Sequence, residues 1–334
     1  MSKNFNASIL STGRAIPSKL INNEYVSRKL KKKSQWIFEK TGISLRYFVN
    51  KTESASSLST IAAKKAIKSS GILKDEINLI IACTFTSDYR FPGLSVKVHN
   101  NLKLKNAGAF DLKANCTGFQ QGIDLACKTI LHDLKIKYVL VIGCCVQSPY
   151  LNWNKPENCM FYGDGAGAAI IGRVPKGYGL ISSSNLCISE AYENVRLRGG
   201  GSQFPFLYKK IKKKNISNFY YDMDGIETWK YAVTYMPKVI IDLLKNEKMT
   251  LKDIDFFVFH QANKNLLNYI FKKLNIPKEK FIINVNKYGN TGDASLAIAL
   301  DEAVKKNKIK RNSKVIISGI GAGFIFGTSL INWY

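Results

Sequence analysis

Residues 110–126 read FDLKANCTGFQQGIDLA. A short apolar run gives way to a break at Cys116, and Phe119, Ile123 and Ala126 then recur at the spacing of one helix face. A strand that hands over to a helix within a few residues is the building unit of an α/β protein. The thiol falls at the handover, ahead of the helix's first turn. Free backbone N–H groups and the helix dipole favour an anion there. The thiolate is the reactive form of cysteine, so this placement is expected to lower the thiol pKa. Thr117 and Gly118 are small and would let a substrate approach. Free cysteine is also among the most buried residue types, so the local pattern leaves a reactive and a structural Cys116 both open.

The same rhythm continues in both directions. Upstream, residues 4–13 read as a strand, 56–71 as a helix with a Ser cap and a Gly stop, 77–86 as a buried strand, 93–104 as a helix and 106–114 as a strand. Downstream of the helix, 137–146 is another buried strand, and GDGAGAAIIGRV (163–174) is a Gly/Ala-rich turn that leads into a strand. The second half repeats this with strands at 178–189 and 253–260 and helices at 224–248, 263–275 and 295–309. It ends with two strands around a Gly-rich turn at 313–333. Buried strands alternating with helices imply an α/β fold with both sheet faces covered. Two similar halves, 1–174 and 175–334, are expected, with the boundary near 173–180. The Gly- and Lys-rich stretch 196–216 reads as a mobile surface loop.

Composition narrows the function. The 334 residues are 46% apolar and 22% charged, an ordinary globular balance. No apolar run is long enough for a bilayer, and MSKNFNASILSTGRAIP lacks the apolar core of a secretory signal. A cytoplasmic protein is the expectation. The seven cysteines, Cys83, Cys116, Cys127, Cys144, Cys145, Cys159 and Cys187, include no CxxC pair, so reduced thiols fit better than zinc or a disulfide framework. The net charge is +26. It is lysine-rich and spread along the chain, dense only at 29–33 and 209–214. A general lysine bias or an acidic macromolecular partner would account for it; no nucleic-acid recognition motif accompanies it.

Three more features could carry chemistry. His260 ends the apolar strand DIDFFVFH, and ligands collect at the carboxyl ends of strands in α/β sheets. It is one of only three histidines, with His99 and His132; a satisfied core histidine is the alternative. Asn290, in NVNKYGNTGDAS, sits in a Gly-flanked turn ahead of a helix, where Asn also serves as a plain turn or cap residue. SGIGAGFIFG (318–327) is a tight turn whose N–H groups could face an oxyanion. No helix follows its glycines, which excludes a dinucleotide fingerprint.

The order Cys116, GDGAGAA, HQAN, YGNT, GAGFIFG resembles the ketoacyl synthase III family of the thiolase superfamily. TGRAIPSKLINNEYV, WIFEKTGISLRYF and MDGIETWKYAV resemble further segments of that family, so the similarity covers nearly the whole chain. A papain-type reading of Cys, His and Asn would need a different context around the cysteine. The resemblance implies a five-layered α-β-α-β-α thiolase-like fold and an acyltransferase of the 3-oxoacyl-(acyl-carrier-protein) synthase III type, acting in fatty acid or related acyl-chain synthesis. It implies that Cys116 accepts an acyl group from acyl-coenzyme A. His260 and Asn290 would stabilise the enolate formed as malonyl carrier protein loses CO2, and the N–H groups of Cys116 and Ala322 would form the acyl oxyanion hole. Trp36 and Lys40 would bind coenzyme A or pantetheine, and Phe91 would enter the acyl pocket of a homodimer partner. No metal or tightly bound cofactor is implied; coenzyme A and the phosphopantetheine of an acidic acyl carrier protein enter as substrates, and neither nucleic acid nor membrane is implied as a partner.

The chain departs from the family at several points. Lys40 stands where the family has Arg, Pro156 where a second Arg is expected, and Gly292 and Asp293 where small residues follow GNT. Lys stacks less well than Arg and Pro does not pair with phosphate, so the donor site is expected to be altered. Asp293 is expected to place a charge close to Asn290. These departures motivate an alternative, a thiolase-fold acyltransferase that moves an acyl group from a carrier protein to an amine or alcohol in specialised or surface-glycan metabolism. Lysines 209–214 are a candidate docking patch for the carrier protein.

Overall fold

The computed structural model describes residues 4–206 and 213–334. Strands β1 (Phe5–Ala15) and β2 (Lys19–Asn22) lead into helices α1 (Asn23–Leu30) and α2 (Ser34–Thr41). Next come β3 (Leu45–Phe48), α3 (Ala55–Ser70), β4 (Ile77–Cys83), α4 (Leu94–Leu102) and β5 (Gly108–Leu112). A single turn, Asn115–Thr117, precedes α5 (Gly118–His132), β6 (Tyr138–Cys145) and β7 (Gly165–Pro175). The rest runs β8 (Gly179–Cys187), β9 (Val195–Arg196), β10 (Asp222–Met223), α6 (Gly225–Asn246), β11 (Phe256–Phe259), α7 (Lys264–Lys273), α8 (Val285–Tyr288), α9 (Ala294–Lys305), β12 (Lys314–Gly321) and β13 (Ile325–Asn332).

Two sheets carry the architecture, one ordered β1-β7-β6-β4-β5 and the other β11-β12-β13-β8. The chain crosses from the first to the second between Pro175 and Gly179. Each sheet mixes parallel and antiparallel neighbours: β4 is parallel to β5 and β6, and β11 is parallel to β12. Side chains alternate across a strand, and the cores follow that alternation. Ile80 and Ala82 of β4 pack outward with α3 and α4, while Ile81 and Cys83 face an inner core with Phe119 and Ile123 of α5. Phe256 and Val258 of β11 enter the same inner core from the second sheet, and Phe257 and Phe259 pack outward with α6 and α7. The layers are therefore α3/α4, sheet, α5/α9, sheet, α6/α7, the expected α-β-α-β-α arrangement.

Of the two helices in the middle layer, α5 keeps a narrow exposed edge at Leu125, Lys128 and His132, whereas most of α9 has none. Ala294 to Ala303 of α9 are all buried, which is why ASLAIALDEA is apolar nearly all round. Its two buried acids are answered: Asp301 Oδ1 accepts from the Thr12 hydroxyl at 3.0 Å, and Glu302 accepts from Asn284 at 3.1 Å. The antiparallel pair β2–β3, joined through α1 and α2, forms an additional unit with Ile21, Val26, Ile37 and Phe48 in its core. Its four-residue strands are too short for a period-2 pattern to stand out, and local patterning did not reveal them.

Candidate active site

Three chain breaks converge at one end of the middle layer. Gly321 ends β12 with its Cα against the turn Asn115–Thr117, so close that an added Cβ would stand 3.1 Å from the Cys116 nitrogen. A Cβ on Gly319 would stand 3.4 Å from both the Cys116 carbonyl oxygen and the His260 Cβ. Glycine at these two places lets the first sheet's cysteine turn and the end of β11 both pack closely on β12. Asn115 adopts φ +50°, in the left-handed region, and its side chain donates to the Ala322 carbonyl at 2.8 Å. That bond ties the Gly-rich turn to the residue before Cys116.

Cys116 is partly exposed, at the foot of α5. Its thiol is not lowered, as the helix N-terminus led us to expect. Burial pushes it well above the ordinary range, and the nearby Asp293 adds to the rise. Desolvation of the anion outweighs the helix dipole, which is worth about 0.3–2 kcal/mol. The resting group is a thiol whose proton must leave as its sulfur reacts.

His260 follows β11 directly and is buried among neutral groups, which hold it down to about 3. Its Nδ1 lies 2.5 Å from the Ser295 hydroxyl. The Ser295 oxygen also accepts the Gln261 N–H at 3.3 Å. We assign the Ser295 hydroxyl proton to Nδ1, which leaves the ring proton on Nε2. Asn290 is fixed in an analogous way. Its Oδ1 accepts the Gly292 N–H at 3.0 Å, so the amide is oriented with its NH2 as the remaining donor. Its backbone is clamped on Phe161 and Gly163, and Gln147 Nε2 donates to its carbonyl at 2.8 Å. The arrangement offers a thiol and two neutral N–H donors, His260 Nε2 and Asn290 Nδ2, with His260 buried and Cys116 and Asn290 partly exposed. Such donors stabilise charge that develops on a carbonyl oxygen.

Asp293 does not place a charge beside Asn290. It is fully buried, and its carboxyl turns to the N-terminus of α5 and to β6. Oδ2 accepts from the Cys145 thiol at 3.6 Å; Oδ1 has no hydrogen-bond partner and would stand 2.5 Å from a Cβ on Gly118. Burial pushes this carboxyl well above the usual carboxylate range. The first turn of α9 aims residue 293 into the middle layer, and that geometry overturns the expectation.

The other expected residues lie apart. Trp36 is half-buried on α2 with the Lys32 ammonium 5.7 Å from its ring centroid. Lys40 is exposed near the end of α2, and its carbonyl accepts from Asn265. Pro156 opens the short turn Pro156–Asn158. Phe91 stands out of the surface, 86% exposed, on the loop before α4. Lys29 and Lys31–Lys33 form an exposed stretch between α1 and α2. Residues 209–212 of the second lysine run lie outside the described residues.

Several residues of the site carried no local sequence signal. Ser295, Gln147 and Asn115 act through side-chain contacts that close only in the fold. Gln261 explains why glutamine follows the histidine: its Oε1 accepts from Asn284 and Val285, and its Nε2 donates to Phe259 and Ile282. Asn263 of the same HQAN motif caps α7.

Comparison with known proteins gives one consistent answer. Two family models match, 3-oxoacyl-(acyl-carrier-protein) synthase III over residues 110–187 and its C-terminal counterpart over 244–333. The chain is 35% identical over 327 residues to a beta-ketoacyl-(acyl-carrier-protein) synthase III of Caldanaerobacter subterraneus, covering 98% of each chain. It is 36% identical to the protein of that name from Fusobacterium nucleatum, covering 97% of this chain and 98% of the relative. The crystal structure of a 3-oxoacyl-(acyl-carrier-protein) synthase III from Aquifex aeolicus superposes with a TM-score of 0.89 at 31% identity, covering 98% of this chain and all of that one.

Proposed function

Because the chain belongs to the 3-oxoacyl-(acyl-carrier-protein) synthase III family, we propose that Cys116, His260 and Asn290 divide its acyl-transferring condensation between them. The enzyme is a condensing acyltransferase of that type. Cys116 is the nucleophile. Its sulfur adds to the acyl thioester, the coenzyme A sulfur leaves with the thiol's proton, and an acyl-enzyme remains. Malonyl carrier protein then loses CO2. The enolate oxygen so formed lies between His260 Nε2–H and Asn290 Nδ2–H. The enolate carbon attacks the acyl-Cys116 carbonyl, whose oxygen takes the N–H groups of Cys116 and Ala322. The 3-oxoacyl carrier protein departs, and the Cys116 thiolate recovers a proton from water.

The observation that carries this reading is the fixed orientation of the two donors, each locked by a second group, at Ser295 and at Gly292. Neutral donors suit an enolate, since a charged imidazolium is not needed and burial would oppose it. Phe91 enters the acyl pocket of a second copy, and the exposed lysines beside Trp36 meet the phosphates of coenzyme A or an acidic carrier protein. The work is done in the cytoplasm by a homodimer. In each chain the first half, 1–174, supplies Cys116 and the second, 175–334, supplies His260 and Asn290.

The test is intact-protein mass spectrometry with acyl-coenzyme A, followed by malonyl carrier protein. Wild type should gain one acyl group and discharge it with CO2 release. Cys116→Ala should gain none. His260→Ala and Asn290→Ala should load normally and lose malonyl decarboxylation by about 10²–10³-fold. Acyl gain in Cys116→Ala, or normal decarboxylation in the other two, would remove these assignments. Loading with no CO2 release, and acyl transfer to an amine or alcohol instead, would favour the alternative acyltransferase.

A further inference from the structure

The end of β6 packs against the turn that carries Asn290. A Cβ on Gly143 would collide with the Asp293 carbonyl oxygen, so the two backbones touch there. Two residues on, Cys145 faces the same side of the sheet, the side taken by Val139 and Val141 in the inner core. A Cβ on Gly292 would stand 2.5 Å from the Cys145 sulfur and 3.1 Å from the Cys145 Cβ. Gly292 has φ +55°, a left-handed conformation that suits glycine. The Asp293 N–H donates to Cys145 Sγ at 3.3 Å, and the thiol donates back to Asp293 Oδ2 at 3.6 Å. Both residues are fully buried. Past the end of the strand, Gln147 Nε2 donates to the carbonyls of Asn290 at 2.8 Å and Gly163 at 2.9 Å. Gly143, Cys145 and Gln147 thus support Asp293, Gly292 and Asn290 in turn. The support bears on the Asn290 amide, because its Oδ1 accepts the N–H of Gly292, the residue seated on Cys145.

We propose that Cys145 is a positioning residue for the condensation, holding Gly292 and Asp293 where Asn290 Nδ2–H is aimed at the enolate oxygen. The inference rests on Asn290 being an enolate donor. Truncating the Cys145 side chain leaves the Asp293 N–H without its acceptor and opens a gap under Gly292. A buried N–H without a partner is costly, so the turn shifts to find one and the Asn290 amide shifts with it. Serine at 145 keeps both a donor and an acceptor for Asp293. Acyl loading of Cys116 does not use the Asn290 amide and is spared.

The experiment is a double-mutant cycle on the full chain. Decarboxylation of malonyl carrier protein is measured per acyl-loadable Cys116, counted by intact mass, so unfolded protein drops out of the rate. Cys145→Ala should decarboxylate about tenfold more slowly than wild type, while its acyl loading stays within about twofold. Cys145→Ser should recover most of the loss. In an Asn290→Ala background, Cys145→Ala should cost less than about twofold further, because the group it aims is gone. Gly292→Ala displaces the same turn from the other side, since its methyl would meet the Cys145 sulfur. It should slow decarboxylation likewise and lose that effect in the Asn290→Ala background, which keeps the test available if Cys145→Ala does not fold. A wild-type rate in Cys145→Ala, or an equal loss with and without Asn290, overturns the proposal and leaves Asn290 as a donor. A wild-type rate in Asn290→Ala alone overturns the underlying reading and the proposal with it.

Discussion

The His260 ring is aimed by a hydroxyl 35 residues away, 2.5 Å from Nδ1. Ser295 thus acts through His260 as a positioning residue. Without the hydroxyl, Nδ1 has no proton donor and the Nε2–H form loses its advantage. Ser295→Ala should slow malonyl decarboxylation by on the order of tenfold to a hundredfold, less than deleting a donor outright. Ser295→Thr should restore it, and Cys116 acylation should stay near wild type in both. Equal decarboxylation by the Ala variant would show that the ring holds its tautomer unaided. Asp293 offers a second test through linkage. Its folded pKa is raised, so as pH climbs above the ordinary carboxylate range the unfolded chain ionises while the buried carboxyl stays neutral. The folded state therefore loses stability as pH rises from about 4 toward the raised pKa. Asp293→Asn removes that loss. Its Tm should exceed that of wild type at pH 7.5, with the gap closing as pH falls to 4. A gap that stays constant with pH would mean Asp293 is ionised in the folded protein.

Elements were legible where local chemistry and tertiary packing agree. Helix α3 is an example. Ser54 accepts the Ser57 N–H at 3.2 Å, the Ser57 hydroxyl accepts the Ser54 N–H at 2.8 Å, and Gly71 ends the helix at φ +74°. Ser54→Ala should cost about 1 kcal/mol, or roughly 2 °C in Tm, by thermal unfolding; an unchanged Tm would mean that the tertiary contacts of α3 fix its start. Sequence placed β4, β6, β11 and β12 because strands buried on both faces read as continuous apolar runs. It missed β2 and β3 because four residues carry no usable period. It placed Cys116, His260 and Asn290 at element ends. It misjudged the thiol's ionisation and the direction of Asp293, since burial depends on what packs against an element rather than on the element. Ser295 and Gln147 were invisible for the same reason.

At the scale of the whole molecule, the layering makes the two halves inseparable. The change of sheet falls between Pro175 and Gly179, yet the inner core takes Phe119 and Ile123 from α5 and Leu296, Ala297 and Leu300 from α9. Either half alone would expose one side of its sheet and an apolar helix face meant for the other. Exposing apolar surface costs about 25 cal/mol per Å², and it weighs against the 5–15 kcal/mol by which domains are usually stable. The residues proposed to react are divided across the same junction, with the thiol before it and both N–H donors after it. Folding and chemistry should therefore be gained together. Residues 1–174 and 175–334 expressed separately should each lack a cooperative thermal transition, and the intact chain should melt in one step. Cys116 in the 1–174 piece should react with iodoacetamide faster than in the intact protein, because the burial that holds its proton is lost. A fragment that melts cooperatively with its thiol still protected would show that each half carries its own core, and that the inner layer is an interface between two domains.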